Sequence, residues 1–220
     1  MPPRPALRVC VFCGSRLGHH HQWAAIAADV GQAIASRGWG LVYGAGRWGL
    51  MGTVAQAAIE EGGYVLGVIP DYLTKIEPVL PGIHELYVVQ TMIERKIKMM
   101  EESQAFLVLP GGIGTLEELF EVWTGLQTGG HQKPIVLANL EGYYDTLIAF
   151  VKEACAHGFL TQGHIDKLQV ADSVEGVFAL LEKSLRTPAG EHPTTEPLLG
   201  PLHEEAGNHH QSEASKDVQA

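Results

Sequence analysis

AFLVLPGGIGTLEE, residues 105–118, is the stretch on which the fold turns. Five apolar residues in a row, 105–109, read as a strand buried on both faces, and the Pro-Gly-Gly that stops it leads straight into a helical pattern. A strand feeding a helix through a glycine turn is the repeating unit of a parallel sheet, and ligands bind such sheets outside the carboxyl ends of the strands. Gly111, Gly112 and Gly114 let the backbone approach a ligand closely. The amides and macrodipole of a helix N-terminus favour an anion such as phosphate, and Thr115 adds a hydroxyl.

Outward from this stretch the same alternation recurs. Strands are expected near 9–12, 40–43, 64–69, 85–89, 134–138 and 168–170. Helices are expected near 23–35, 51–61, 92–102, 143–157 and 174–185, with one from the PGGIGTLEE loop to about 126. The fold class is therefore α/β, a single-domain Rossmann-like doubly wound parallel sheet with helices on both faces. Residues 70–82 carry three prolines and little periodicity, which marks a functional loop. The expected organisation is a disordered arm at 1–7, a nucleotide-binding catalytic domain at 8–186 and a disordered tail at 187–220. That tail is too poor in large apolar residues to order itself.

A second glycine loop, YGAGRWGLMG at 43–52, places Gly44, Gly46 and Gly49 in GxGxxG spacing, with Arg47 suited to a phosphate oxygen. Asp71 after the next strand fits the ribose acid of a dinucleotide site. However, the dinucleotide fingerprint normally follows the first strand, and the chain has no evident substrate domain or proton-transfer histidine for a dehydrogenase. Between the two loops lies MIERK at 92–96. Read alone, it is a solvated helix face with i,i+4 pairs such as Glu94 with Lys98.

Composition narrows the classes. A net charge of −10 and a pI near 5.5 exclude a broad basic face for nucleic acid. No apolar run approaches membrane-spanning length, and residues 1–5 lack a signal-peptide core, so the expected location is the cytoplasm. Cys10 and Cys13 form a CxxC within one strand, where positions three apart face opposite ways and cannot share a metal. His19, His20 and His21 lie at a helix entry without a carboxylate or thiolate cluster. Neither a metal nor an organic cofactor is expected.

Taken together, CGS at 13–15, YGAGRWGLMG, MIERK and PGGIGTLEE resemble the LOG family, the cytokinin riboside 5'-monophosphate phosphoribohydrolases, over roughly residues 8–185. These proteins are often mislabelled lysine decarboxylases. That label does not suit this chain, which shows no Schiff-base lysine with a pyridinium partner. The resemblance implies hydrolysis of the N-glycosidic bond of AMP or a cytokinin ribotide, with Arg95 and Glu118 as the catalytic pair. It implies nucleotide contacts from Glu77, Lys96, Gly112, Ile113, Gly114, Thr115, Leu116, Glu117 and Thr124. Ser15 of CGS, with Gly46 and Gly111 of the glycine loops, completes the expected binding set. A homodimer with each site near the subunit interface is also implied, and the alternative is a nucleotide carrier without catalysis.

The residues permit that chemistry. Glu118 falls in the first turn after the anion loop, where the dipole favours its ionised form, so it suits an oxocarbenium-like sugar or an attacking water. Arg95 stays charged and acts as a clamp and charge stabiliser. Four positions depart from the family pattern: Ile93 for histidine, Arg16 for a small hydroxyl residue, Ala45 for glycine and Gly125 for tryptophan.

Overall fold

A computed structural model describes residues 3–186. The strands are β1 (Arg8–Phe12), β2 (Gly40–Tyr43), β3 (Tyr64–Pro70), β4 (Glu85–Val89), β5 (Ala105–Val108), β6 (Ile135–Ala138) and β7 (Leu168–Ala171). They form one parallel sheet in the order β4-β3-β2-β1-β5-β6-β7. Strand order reverses between β1 and β5, so the loops leaving those two strands diverge over opposite faces and open a crevice. β5 is paired on both edges and wholly buried, as its unbroken apolar run requires. Edge strand β4 alternates half-buried with exposed positions instead.

The main helices are α1 (Trp23–Ser36), α2 (Gly49–Glu60), α4 (Met92–Glu101), α5 (Ile113–Gln127), α6 (Asp145–Ala156) and α8 (Val174–Arg186). Two apolar cores result. One packs α1, α2 and α8 against Val9, Val11 and Leu107. The other packs α4, α5 and α6 against Cys10, Phe12 and Phe106. Cys10 and Cys13 fall into different cores, as strand alternation demands, and both are free thiols.

Two short helices were not anticipated. α3 (Asp71–Thr74) opens the proline-rich loop, and α7 (Gln162–Asp166) is held by a capping box between Thr161 and His164. Helix α6 begins later than expected because the chain first makes a 3-10 turn, Leu140–Gly142, with Glu141 at φ 52°. Asn139 organises this turn: its side chain accepts from the Tyr144 amide and donates to Asp145, both at 2.7 Å.

The arm expected to be disordered is held at Arg4, which pairs with Glu102 and, at 3.4 Å, with Glu85. The 187–220 tail lies outside the described residues. No helix among the described residues is long and apolar enough to cross a membrane.

Candidate active site

Helix α4 starts at an N-cap, Thr91, whose hydroxyl accepts from the Glu94 amide at 3.1 Å. That start turns Arg95 inward while Glu94 faces water, so the helix that reads as a solvated face carries one buried cation. Arg95 is only 7% exposed, and its Nη2 donates to the Gly44 carbonyl at 3.1 Å. A Cβ on residue 44 would lie 1.7 Å from that nitrogen, so glycine is what admits the guanidinium. Arg95 Nε is buried without a partner among the described residues. A buried guanidinium with a free donor suits a ligand that supplies the missing acceptor.

The next glycine performs the same service for a carboxylate. Residues 70–82 fold back over the first glycine loop: Arg47 N–H donates to the Pro78 carbonyl at 3.2 Å and Leu80 N–H to that of Ala45 at 3.1 Å. The fold-back places Glu77 against Gly46, where an added Cβ would come 2.0 Å from Glu77 Oε1. The Arg47 guanidinium lies over the Trp48 ring, 4.8 Å from the centroid.

In the second loop, Thr115 is buried and packs its hydroxyl on Gly111, where a Cβ would come within 2.1 Å. Gly112 and Gly114 instead face open space, leaving the N-terminal end of α5 uncovered. Ile113 is exposed, whereas Leu116 packs against the core. Lys96 pairs with Glu117 and, at 2.8 Å, with Glu121, so two expected nucleotide contacts engage each other between α4 and α5. Thr124 is exposed and lies roughly 13 Å along α5 from Thr115.

Glu118 corrects the sequence reading. The dipole argument has it ionised, but the carboxyl is half-buried and desolvation pushes its pKa up to about 7. Arg95 and Lys96 pull the other way without prevailing, and Glu117 adds to the rise. Burial raises the Cys10 and Cys13 thiols, and Glu118 adds to the rise, as expected of a carboxylate close to the end of β1.

Between the connections that follow β1 and β5 lies a cavity of about 510 Å³ lined by Ser15, Arg16, Trp23, Gly111, Gly112 and Tyr143, among others. The first connection is pinned by Gly14 N–H donating to the Pro110 carbonyl at 3.0 Å. Sequence reasoning missed the two aromatic walls. Tyr143 donates its hydroxyl to the Gly111 carbonyl at 2.6 Å and meets Trp23 edge-on at 5.7 Å. The available signal was the pair of aromatics in GYYD just past a strand end. Tyr43 was missed too: it is fully buried, its hydroxyl has no partner among the described residues, and burial and Glu77 push its pKa up.

Fold and site together define the class: an α/β protein whose parallel sheet presents, at its reversal point, an open helix N-terminus beside a buried arginine and a desolvated carboxyl. Comparison with known proteins places it more closely. Residues 51–181 match the family model described as possible lysine decarboxylase. A protein of Rhodococcoides fascians named cytokinin riboside 5'-monophosphate phosphoribohydrolase is 44% identical over 174 residues, 79% of this chain and 88% of that one. One of that name from Arabidopsis thaliana is 45% identical over 154 residues, covering 70% of this chain and 72% of its own. The chain belongs to this family, the LOG family. Among solved structures, the molybdenum cofactor carrier protein of Chlamydomonas reinhardtii matches with a TM-score of 0.62 at 21% identity, over 82% of this chain and 99% of its own. At that identity the likeness concerns the fold alone.

Proposed function

We propose that the chain is a phosphoribohydrolase that cleaves the N-glycosidic bond of a nucleoside 5'-monophosphate, AMP or a cytokinin ribotide, to free base and ribose 5-phosphate. The observation that carries this reading is Arg95, buried with an unpartnered Nε, within electrostatic reach of a Glu118 carboxyl that burial raises to a pKa of about 7, in a chain 41–47% identical to proteins named for that reaction. The phosphate docks on the amides at Gly112, Ile113 and Gly114, and the ribose and base extend toward Glu118, Arg95 and Glu77. As the bond from C1' to the base nitrogen breaks, its electron pair leaves with the base and the sugar becomes oxocarbenium-like. Ionised Glu118 stabilises that charge and takes a proton from the water that attacks C1'. Arg95 offsets the negative charge growing on the base, and the base nitrogen takes its proton from solvent, since residue 93 is isoleucine.

The enzyme acts in the cytoplasm on a small molecule, without nucleic acid or membrane, and as a homodimer. Exposed Ile93 and Ile97 on α4, Phe120 on α5 and Val88 on β4 supply an apolar face suited to a second copy. The test is to incubate the protein with AMP, isopentenyladenosine 5'-monophosphate and the matching nucleosides, and to measure free base by chromatography. Release from the monophosphates alone is expected; tight binding with no release from any of them would turn the reading to a carrier.

A further inference from the structure

Consecutive carbonyls lead into the open N-terminus of α5, and each is held by a donor from outside the loop. Leu109 accepts from the Tyr144 hydroxyl at 2.7 Å, Pro110 from the Gly14 amide at 3.0 Å and Gly111 from the Tyr143 hydroxyl at 2.6 Å. Every peptide bond among the described residues is trans, so fixing a carbonyl also fixes the next N–H, which points the opposite way. These bonds are not equivalent. The Leu109 carbonyl is followed by proline, which has no N–H to aim. The Gly111 carbonyl is followed by Gly112, the exposed N-cap of α5, whose helix end has no side-chain cap. Glycine on both sides leaves that peptide plane without Cβ restraint. Tyr143 supplies the restraint instead. Its ring meets Trp23 edge-on at 5.7 Å and Tyr144 edge-on at 4.8 Å, and the Asn139 turn fixes the backbone behind it.

We propose that Tyr143 is the positioning residue of the phosphate site: by holding the Gly111 carbonyl it presets the Gly111–Gly112 peptide plane, so that the Gly112 N–H meets a phosphoryl oxygen. The inference rests on the nucleotide reading above and names what preorganises its anion end. A plane already set in the free protein need not be ordered on binding, so the hydroxyl acts on affinity for the phosphate and not on the bond at C1'.

The experiment compares Tyr143→Phe with Tyr144→Phe, since each removes one hydroxyl from one carbonyl of the same loop and keeps the ring. AMP affinity is measured by calorimetry, adenosine by competition against AMP, base release by steady-state kinetics and stability by thermal unfolding. Tyr143→Phe is expected to weaken AMP about tenfold and to raise KM alike, with kcat within about twofold and adenosine binding as in the wild type. Its Tm should stay within about 2 °C, because Tyr143 is 44% exposed and water replaces the hydroxyl. Tyr144→Phe is expected to do the reverse. Its Tm should fall by about 3 °C or more, because the Leu109 carbonyl is left buried without a donor, while AMP affinity stays within about twofold. Unchanged AMP affinity in Tyr143→Phe, an equal loss in Tyr144→Phe, or a parallel loss for adenosine would each overturn the inference. No base release from AMP, with the loss of AMP affinity in Tyr143→Phe intact, would strike the hydrolase reading and leave this one standing.

Discussion

The two glycine-rich loops, residues 43–52 and 110–118, look alike in sequence and end up opposite in character. In the first, the space that glycine leaves is filled by the protein's own groups: Arg95 at Gly44, Glu77 at Gly46, and the returning 70–82 segment hydrogen-bonded across the loop. In the second, Gly111 is filled by Thr115, but Gly112 and Gly114 stay open. One loop is a cradle for functional side chains and the other is the floor for a ligand. Glycine spacing alone does not distinguish them; what packs into the missing Cβ does.

The largest expected effect lies where the two regions meet. Glu118→Gln removes the carboxylate facing Arg95, so turnover should fall by about a thousandfold or more while AMP affinity stays within about tenfold. Stability should move the other way. A carboxyl whose folded pKa is raised to about 7 costs folding stability as pH rises from the ordinary carboxylate range through 7. At pH 8 the glutamine variant should be more stable by as much as about 3 kcal/mol, with the advantage gone near pH 4. Thermal unfolding at the two pH values checks this, and a variant less stable at pH 8 would sink the desolvation argument. The same raised pKa sets the rate profile: kcat in the wild type should climb with pH through about 7 as Glu118 ionises.

Alanine placed in each loop in turn breaks the comparison directly. Gly44→Ala sets a methyl 1.7 Å from Arg95 Nη2, displacing the guanidinium and lowering kcat by about a hundredfold. Gly112→Ala meets nothing in the free protein, so folding should be untouched and only KM should rise, by about tenfold or less, as the methyl crowds the phosphate. Steady-state kinetics on the pair separates the two roles. A Gly44→Ala variant with normal kcat would mean that Arg95 is not held where turnover needs it.

Much of this was legible in the sequence because strand and helix periods are local. The seven strands and the main helices could be placed from apolar runs and glycine stops, and α3 and α7 were missed because helices of four or five residues leave no periodic trace. The side-chain environments were not legible. MIERK reads as a solvated face, and only the packing of α4 against the first glycine loop buries Arg95. The ionisation of Glu118 went astray for the same reason: the helix dipole is visible in sequence, whereas desolvation depends on what closes over the carboxyl. Trp23 and Tyr143 meet only because β1 and β6 are separated by one strand, which is a fact of sheet order.

The smallest effect sharpens the contrast at Ala45, which stands between Gly44 and Gly46 in the closed loop. It sits at φ 63°, fully buried, in the left-handed region that costs a side-chain-bearing residue about 1–2 kcal/mol. Replacing it with glycine removes that strain but gives up a buried methyl, worth about 0.8 kcal/mol, and adds unfolded-state freedom of about 0.4–1 kcal/mol. The opposing contributions nearly cancel, so Ala45→Gly should shift stability by no more than about 0.5 kcal/mol in denaturant unfolding. Its packing role shows only against a partner. A Cβ on Gly67 would lie 2.8 Å from the Ala45 methyl, so Gly67→Ala should destabilise the wild type and do so less in the Ala45→Gly background. Additive effects in that cycle would mean that the Ala45 methyl does not press on β3, and the first loop would be less tightly closed than its hydrogen bonds imply.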